Sequence, residues 1–276
     1  IEIMAEQVRR GNFIPTGFET EFGDESIKPI SYTLKNGKDI KLVGKIDRID
    51  VFKGENSDFL RIIDYKSSKR DIDLNQVYAG LQLQLFVYMN AILSSNKDRY
   101  KPAGLFYSDF TTNLVGFETY SKMLDMNDDS FYSEKLKKNK LTGFVIKDME
   151  LLKNLDKTLE ENRLISEILP IKLKSKGQEI GAGTLGLTTD EFEIVNEFVL
   201  NKTKDICEEI YDGNIDIKPF RYKDKKPCDY CKYKSICRFD VKHNKYNNIK
   251  NLVTKDKPNE VFEKMELKNK EKRGEK

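Results

Sequence analysis

Apolar and polar positions change their rhythm several times along this chain, and each change marks an expected element. Residues 1–10 have the look of the last turns of a helix, ended by Gly11. Short strand-like runs follow at Phe18–Phe22, Ser31–Leu34, Ile40–Val51 and Phe59–Lys66. The turn elements Asn36-Gly37 and Lys53-Gly54-Glu55-Asn56 separate the last three, so antiparallel hairpins are expected there. From Leu74 to Leu93 the period becomes helical: Leu81, Leu85, Tyr88 and Ile92 recur on one face, with no Pro or Gly after Gly80. Pro102 then precedes another strand candidate, Gly104–Asp109. Strands, helix and strand in that order predict an α/β core.

The middle third carries weaker signals. Lys122–Lys140 and Asp148–Leu164 are polar with faint helical periodicity. A clearer helix starts near Thr188, which stands with Glu191 at the spacing of a capping box. Phe192, Val195, Val199, Ile206 and Ile210 predict one apolar stripe along it, and Gly213 closes it. Past Asp240 the chain is rich in Lys, Glu and Asn, and a loosely held tail over 241–276 is expected.

Composition adds little about partners. The 276 residues suffice for one sizeable core with appendages, and 49 basic against 46 acidic groups leave only +3. The first residue is Ile1, not Met, so a piece of a longer protein is expected. No apolar run approaches the ~20 residues of a membrane span and no signal pattern opens the chain, so the expectation is a soluble, cytoplasmic protein without membrane contact.

The segment Gly44–Tyr88 carries the chemistry. It reads Gly44-Lys45-Ile46-Asp47-Arg48-Ile49-Asp50, then Ile62-Ile63-Asp64-Tyr65-Lys66-Ser67-Ser68, then Gln82-Leu83-Gln84-Leu85-Phe86-Val87-Tyr88. In a strand Asp64 and Lys66 project from the same face, and pairing with the strand of Asp47 brings two carboxylates and an ammonium together. Phosphodiester hydrolysis uses such groups: hard oxygen ligands for Mg²⁺, and a cation to position water and offset developing charge. Gln84 and Tyr88, four apart on the helix, share a face and could brace that site or touch DNA. An Asp-x-Lys triplet alone arises by chance in a chain that is 34% charged. What singles this one out is Asp64 at the end of the run Leu60–Ile63, apolar apart from Arg61, where a solvated charge is not expected.

Cys228, Cys231 and Cys237 form a C-x₂-C-x₅-C pattern within Pro227–Cys237. Three thiols this close predict metal binding over ordinary buried cysteines, but the spacing leaves zinc and iron–sulfur both open. His243 would complete a Cys₃His zinc site, and Cys207 is a further candidate ligand, although a half-buried thiol on a helix flank is its simpler account.

Gly-x-Ile-Asp-Arg, Asp-Tyr-Lys-Ser and Gln-x-x-x-Tyr, in this order, resemble the PD-(D/E)xK nuclease superfamily in its RecB-like branch, as in the AddB component of AddAB-type helicase–nucleases. The resemblance covers most of residues 10–240. It implies a restriction-endonuclease-like α/β core, a mixed sheet flanked by helices, with helical additions and a cysteine-bearing C-terminal segment. It makes 1–240 one nuclease domain, cysteines included, followed by a polar tail. By it, Asp47 and Asp64 are the metal-binding aspartates, the Tyr65 carbonyl a third ligand, Lys66 the catalytic lysine, and Gln84 and Tyr88 the helical motif that follows. It implies Mg²⁺-dependent exonuclease action on the 5′-ended DNA strand in double-strand break repair and recombination, and an AddA-type partner that uses ATP. It implies that Cys228, Cys231 and Cys237 hold a [4Fe–4S] cluster whose fourth cysteine precedes the nuclease domain. The family also has a His or Glu on a helix before the first strand. Glu2 and Glu6 do not match that context, and Glu19 and Glu21 lie on a strand, so both missing ligands are expected ahead of Ile1. The rival reading is a non-enzymatic, zinc-stapled DNA-binding module.

Two further patterns carry less. Gly181-Ala182-Gly183-Thr184-Leu185-Gly186 matches G-x-G-x-x-G but lacks a βαβ setting, so a flexible loop is expected. There is no Walker A sequence, which excludes the motor function.

Overall fold

The computed structural model describes residues 2–96, 99–109, 128–159, 163–174, 179–252 and 259–275. The chain divides into two compact units.

The first unit comprises Ile1–Ser31, Lys41–Ile72 and Gln84–Glu193. Its centre is a six-stranded mixed sheet built from β1 (Ile14–Phe22), β4 (Gly44–Lys53), β5 (Asp58–Lys66), β6 (Tyr100–Asp109), β7 (Thr142–Ile146) and β8 (Leu185–Leu187), in that spatial order. β4 pairs antiparallel with β1 and β5; β5–β6 and β7–β8 are parallel, and β6–β7 is antiparallel. The β4–β5 hairpin closes at Gly54, whose N–H donates to the Ser57 carbonyl, as the turn sequence predicts. β5 is buried along its middle five residues, as a central strand covered on both faces must be. The parallel β5–β6 step is made through α3 (Gln84–Ser95), which buries Leu85, Phe86 and Met89. Phe86, Phe144 and Phe192 form a ring cluster with centroids 5.6 to 6.4 Å apart.

The structure corrects several boundaries. The run Ile40–Val51 breaks at Val43 into β3 (Asp39–Leu42), which pairs with β2 (Ile30–Thr33) across the Asn36-Gly37 turn, and β4. The single helix expected over Leu74–Leu93 is two, α2 (Leu74–Tyr78) and α3, because Gly80 adopts φ +85° and turns the chain. Leu81, expected on the apolar face, is exposed. Pro102 lies inside β6 and not ahead of it, next to a register shift where its missing N–H breaks no ladder. β7 has no counterpart among the expected elements. It is five residues long, and Gly143 within it has φ +137° with the Leu105 carbonyl packed where a Cβ would stand. Of the two weak helical stretches, α4 (Asp128–Lys138) and α5 (Met149–Leu155) are formed. The remainder at 122–127 and 160–162 lies outside the described residues.

The second unit comprises Tyr32–Ile40, Asp73–Leu83 and Ile194–Lys276. Its main element is α6 (Thr189–Tyr211), whose first turn belongs to the first unit. The capping box is present: the Thr188 N–H donates to Glu191 Oε2 at 2.8 Å and the Glu191 N–H to Thr188 Oγ1 at 3.1 Å. Phe192, Val195 and Val199 are buried as expected, but Ile206 is only half-buried and Ile210 is exposed; Thr203 and Cys207 take the inner positions. Gly213, at φ +72°, closes the helix. The tail expected to be loosely held contains α8 (Glu260–Arg273), with Val261, Met265 and Asn269 buried. Asn269 donates to the Ile194 carbonyl at 2.9 Å, so a polar residue fills an inward position that apolar patterning does not reveal. Tyr222 and Leu252 anchor the intervening chain on the start of α2, through Tyr222 Oη to Asp73 Oδ2 (2.7 Å) and Leu252 N–H to Asn75 Oδ1 (2.7 Å). Among the described residues no helix is long and apolar enough to cross a membrane.

Candidate active site

The ladder between β4 and β5 ends at the pair Arg48–Ile63, and Asp47 and Asp64 stand just beyond it. There the strands part enough for Asp47 to act as a local acceptor: its Oδ2 takes the Tyr65 N–H at 2.8 Å. Asp64 is almost wholly buried, and Lys66 Nζ lies 2.5 Å from its Oδ2. That oxygen has no directed hydrogen bond of its own. Lys66 in turn donates to Gln84 Oε1 at 3.0 Å, and Gln84 Nε2 donates to the Tyr88 hydroxyl at 2.7 Å. Gln84 and Tyr88 are thus joined to the end of β5 through Lys66, from a helix fixed by its apolar side. Tyr88 is held from behind by the edge of Phe22, with ring centroids 5.9 Å apart.

Electrostatics set Asp64 apart. Burial pushes its carboxyl above the usual carboxylate range; the Lys66 ammonium opposes the rise and the neighbouring Asp47 charge adds to it. Burial likewise raises the Tyr88 phenol, with the charges of Asp64 and Asp47 adding to the effect against the Gln84 hydrogen bond. Tyr107, which pairs with Asp64 in the β5–β6 register, is pushed up to about 12 by burial and by the Asp64 charge. Its ring lies 5.8 Å from Lys66 Nζ. Sequence patterning does not single out Tyr107, although it falls in the expected strand Gly104–Asp109; parallel register, which sequence does not show, is what brings it here.

The donor set suits a hard cation. A buried carboxylate oxygen without a directed hydrogen bond and a second carboxylate beside it offer oxygen ligands of the kind Mg²⁺ takes. Among the described residues no three His, Cys, Asp or Glu side chains gather as a metal-holding group, so side chains here supply two acidic donors and not three. Three of the four other acidic residues considered as donors are engaged elsewhere: Glu2 with Lys135, Glu6 with Arg9 and Arg10, and Glu19 with Lys45.

The three cysteines sit apart in kind. They lie in the loop between β9 (Phe220–Arg221) and β10 (Asn247–Asn248), which pair in parallel. Cys228 is in a 3₁₀ turn begun by Pro227, Cys237 ends the short helix α7 (Lys234–Cys237), and Cys231 Sγ accepts the Tyr233 N–H at 3.4 Å. All three are free thiols with soft-donor chemistry, but their sulfurs are not gathered into a metal-holding set, and a closed cluster site does not follow from the residues present. Cys207 is buried in α6 and burial raises its thiol pKa, which is the structural role. His243 lies exposed in a turn, its N–H donating to the Asp240 carbonyl.

Comparison with known proteins bears on this arrangement. The chain is 37% identical over 258 residues to the B component of the ATP-dependent helicase/deoxyribonuclease of Clostridioides difficile (strain 630), covering 91% of this chain and 22% of that protein. The protein of the same name from Caldanaerobacter subterraneus subsp. tengcongensis is 39% identical, covering 92% of this chain and 22% of its own. That from Thermoanaerobacter sp. (strain X514) is 41% identical over 90% of this chain and 21% of its own. The chain thus spans about a fifth of the length of these relatives. Residues 1–238 match the model of the PD-(D/E)XK nuclease superfamily, a stretch that holds the whole mixed sheet, the paired aspartates at its open strand ends and the lysine two residues on. The chain belongs to the PD-(D/E)XK nuclease superfamily.

Proposed function

We propose that this chain is the Mg²⁺-dependent deoxyribonuclease module of a bacterial helicase–nuclease, acting as an exonuclease on the 5′-ended strand during double-strand break repair and recombination. Its partner would be an AddA-type protein supplying ATP-driven unwinding. The observation that carries the reading is Asp64: a buried carboxylate, raised in pKa, left without a directed hydrogen bond and set beside Asp47 and Lys66. A carboxylate in that state is costly to the fold, and a bound cation relieves the cost.

Asp47, Asp64 and the Tyr65 carbonyl would hold Mg²⁺, which when bound supplies a polarised phosphate and a more acidic water. Lys66 faces the same oxygen, and with a cation on Asp64 its ammonium would be available to orient the attacking water and offset charge on the phosphate. Gln84 fixes where that ammonium rests, and Tyr88 fixes Gln84. A water oxygen bonds to phosphorus, the P–O bond to the leaving nucleotide breaks, and the water's proton ends on the departing oxygen.

We further infer that Cys228, Cys231 and Cys237 are ligand positions for a [4Fe–4S] cluster in the full-length protein. What supports this is three cysteines within ten residues in a C-x₂-C-x₅-C pattern.

The test is cleavage of 5′-labelled DNA by the full-length protein with its partner, in MgCl₂ and in EDTA, alongside metal analysis after anaerobic purification. Divalent-dependent loss of the 5′-ended strand and bound iron are expected. Stoichiometric zinc with no divalent-dependent cleavage would instead favour a zinc-stapled DNA-binding module.

A further inference from the structure

A cleft of about 320 Å³ opens beside the candidate active site, within the first unit. Its lining begins just past the end of β5: Ser68, Lys69 and Arg70 follow Lys66 after one intervening residue, and Tyr107, whose ring lies 5.8 Å from Lys66 Nζ, lines it too. The end of α4 contributes Lys137 and Lys138, and the adjoining segments Lys140 and Lys172. Six cations therefore face a space with one lining carboxylate, Asp109. This imbalance is local, since the whole chain is close to neutral.

The cations are of two kinds. Lys140 is half-buried and bound to the Ser166 carbonyl at 2.8 Å, so it is part of the wall. Lys69, Arg70, Lys137, Lys138 and Lys172 are exposed. Lys137 has only an exposed ion pair with Glu134, of the sort that yields readily to a better anion. Another part of the lining is different in character: Ile165, 52% exposed, and Pro170 are apolar. Ala182, Gly183 and Thr184 complete the rim, and Gly183, at φ +94° with open space around it, keeps that rim low. The G-x-G-x-x-G resemblance thus reflects a cleft wall leading into β8 and not a dinucleotide fingerprint.

We propose that this cleft is the seat of a single DNA strand next to the cleavage point, with its phosphates on Lys69, Arg70, Lys137, Lys138 and Lys172 and a base against Ile165. The proposal rests on the nuclease reading and adds the strand's path to it. A cationic track beside an apolar or aromatic platform is the combination that holds single strands without reading sequence. The size of the cleft admits a short stretch of one strand and not a duplex. The Arg70 charge is felt at both Asp64 and Tyr107, so the track and the carboxylate share one field. A phosphate seated at the near end of the cleft lies next to Lys66.

The experiment uses fluorescein-labelled oligothymidylate with the purified chain in EDTA, titrated at several salt concentrations. Lys137→Gln/Lys138→Gln/Lys172→Gln is compared with a control losing equal charge on the same unit, Lys28→Gln/Lys41→Gln/Lys53→Gln. All six side chains are exposed, and melting curves check that both variants fold as the parent does. The cleft variant should bind at least tenfold more weakly, and its salt slope should fall by about two, as losing three phosphate contacts to a single strand requires. The control should match the parent. Equal losses in both variants, or none in the cleft variant, overturn the proposal; Mg²⁺-dependent cleavage by the parent in those cases leaves the nuclease reading standing. A parent that does not bind the oligonucleotide overturns the proposal, while the nuclease reading is decided separately by cleavage with the full-length protein and its partner.

Discussion

The hairpin of β4 and β5 carries buried charge on both faces, and the two faces treat it differently. On one, Asp50 is fully buried between two guanidiniums: Arg48 reaches it through Nε and Nη2 at 2.7 Å each, and Arg61 through Nε at 2.8 Å. Arg61 also lies over the Phe13 ring and within the field of buried Asp156, which is itself satisfied by Thr158 and Ser166. The net charge there is balanced within the protein by these ion pairs and Asp156, while Nη1 and Nη2 of Arg61 make no directed hydrogen bond. On the other face, towards the open end of the same strands, Asp64 has a single lysine and a like-charged neighbour, Asp47. The same two strands thus hold a closed ion cluster that ties the hairpin together and an open one that lacks positive charge. Burial by itself does not mark a functional site; burial without compensation does.

Removing the carboxylate from each face separates these roles. Asp64→Asn should lower Mg²⁺-dependent cleavage by about a thousandfold, the order seen when a preorganised electrostatic partner is lost. It should leave thermal stability the same or higher, since the neutral amide escapes the desolvation that Asp64 endures. Cleavage at the parent rate would remove Asp64 from the mechanism, and a large loss of stability would place it with Asp50.

Asp50→Asn should do the reverse. It leaves two buried guanidiniums without their shared partner, at a cost of about 3–5 kcal/mol. Urea unfolding measures it, and a midpoint like the parent's would mean that Asp156 already balances the pair. Arg61 reinforces the point: burial lowers its pKa against the pull of Asp50, so its charge depends on that partner.

How much of this contrast can be read from the chain follows from what each face requires. Asp64 is legible because a charge directly after Ile62-Ile63 closes a run, Leu60–Ile63, that is apolar apart from Arg61, and Lys66 shares its side by strand geometry. Gln84 and Tyr88 are legible as an i, i+4 pair once a helix is expected. The Arg48–Asp50–Arg61 cluster is not, because alternation reads a charged residue in a strand as facing water, and only register shows Asp50 opposite Arg61. β7 fails for a similar reason: five residues between polar helices give too short a signal. α8 fails because its buried face uses only Val261, Met265 and Asn269. In each case the information lies in partners distant along the chain.

The contacts that hold Lys66 offer a finer test of the open face. Gln84→Ala removes the acceptor 3.0 Å from the ammonium and should cut kcat about tenfold, the lower end of what supporting residues around metal ligands contribute. KM for DNA should change little, because Gln84 positions Lys66 and need not touch the strand. Tyr88→Phe, one contact further out, should have a smaller effect in the same direction. A rise in KM with kcat kept would instead make the two residues DNA contacts.

The smallest effect concerns a third carboxylate, which shows what full compensation does to titration. Glu167 is buried like Asp64, and burial alone would raise it. Hydrogen bonds from Ser133 (2.5 Å) and Arg10 (2.7 Å) and the charge of Arg163 (2.6 Å) overcome that and bring it down to about 2. A carboxyl whose folded pKa lies below its unfolded value stabilises the fold in its charged form. That stabilisation is complete above the ordinary glutamate range, near 4.5, and disappears as pH falls from there to about 2. The parent's melting midpoint should therefore fall through this window more steeply than that of Glu167→Gln. At pH 7 the variant should melt about 2–4 °C lower, as a loss of about 1 kcal/mol would cause in a chain of this size, and the two curves should converge towards pH 2. Parallel curves across the window would show that Glu167 titrates normally. Its three partners would then contribute packing rather than charge, and the distinction between compensated and uncompensated carboxylates would rest on the hairpin alone.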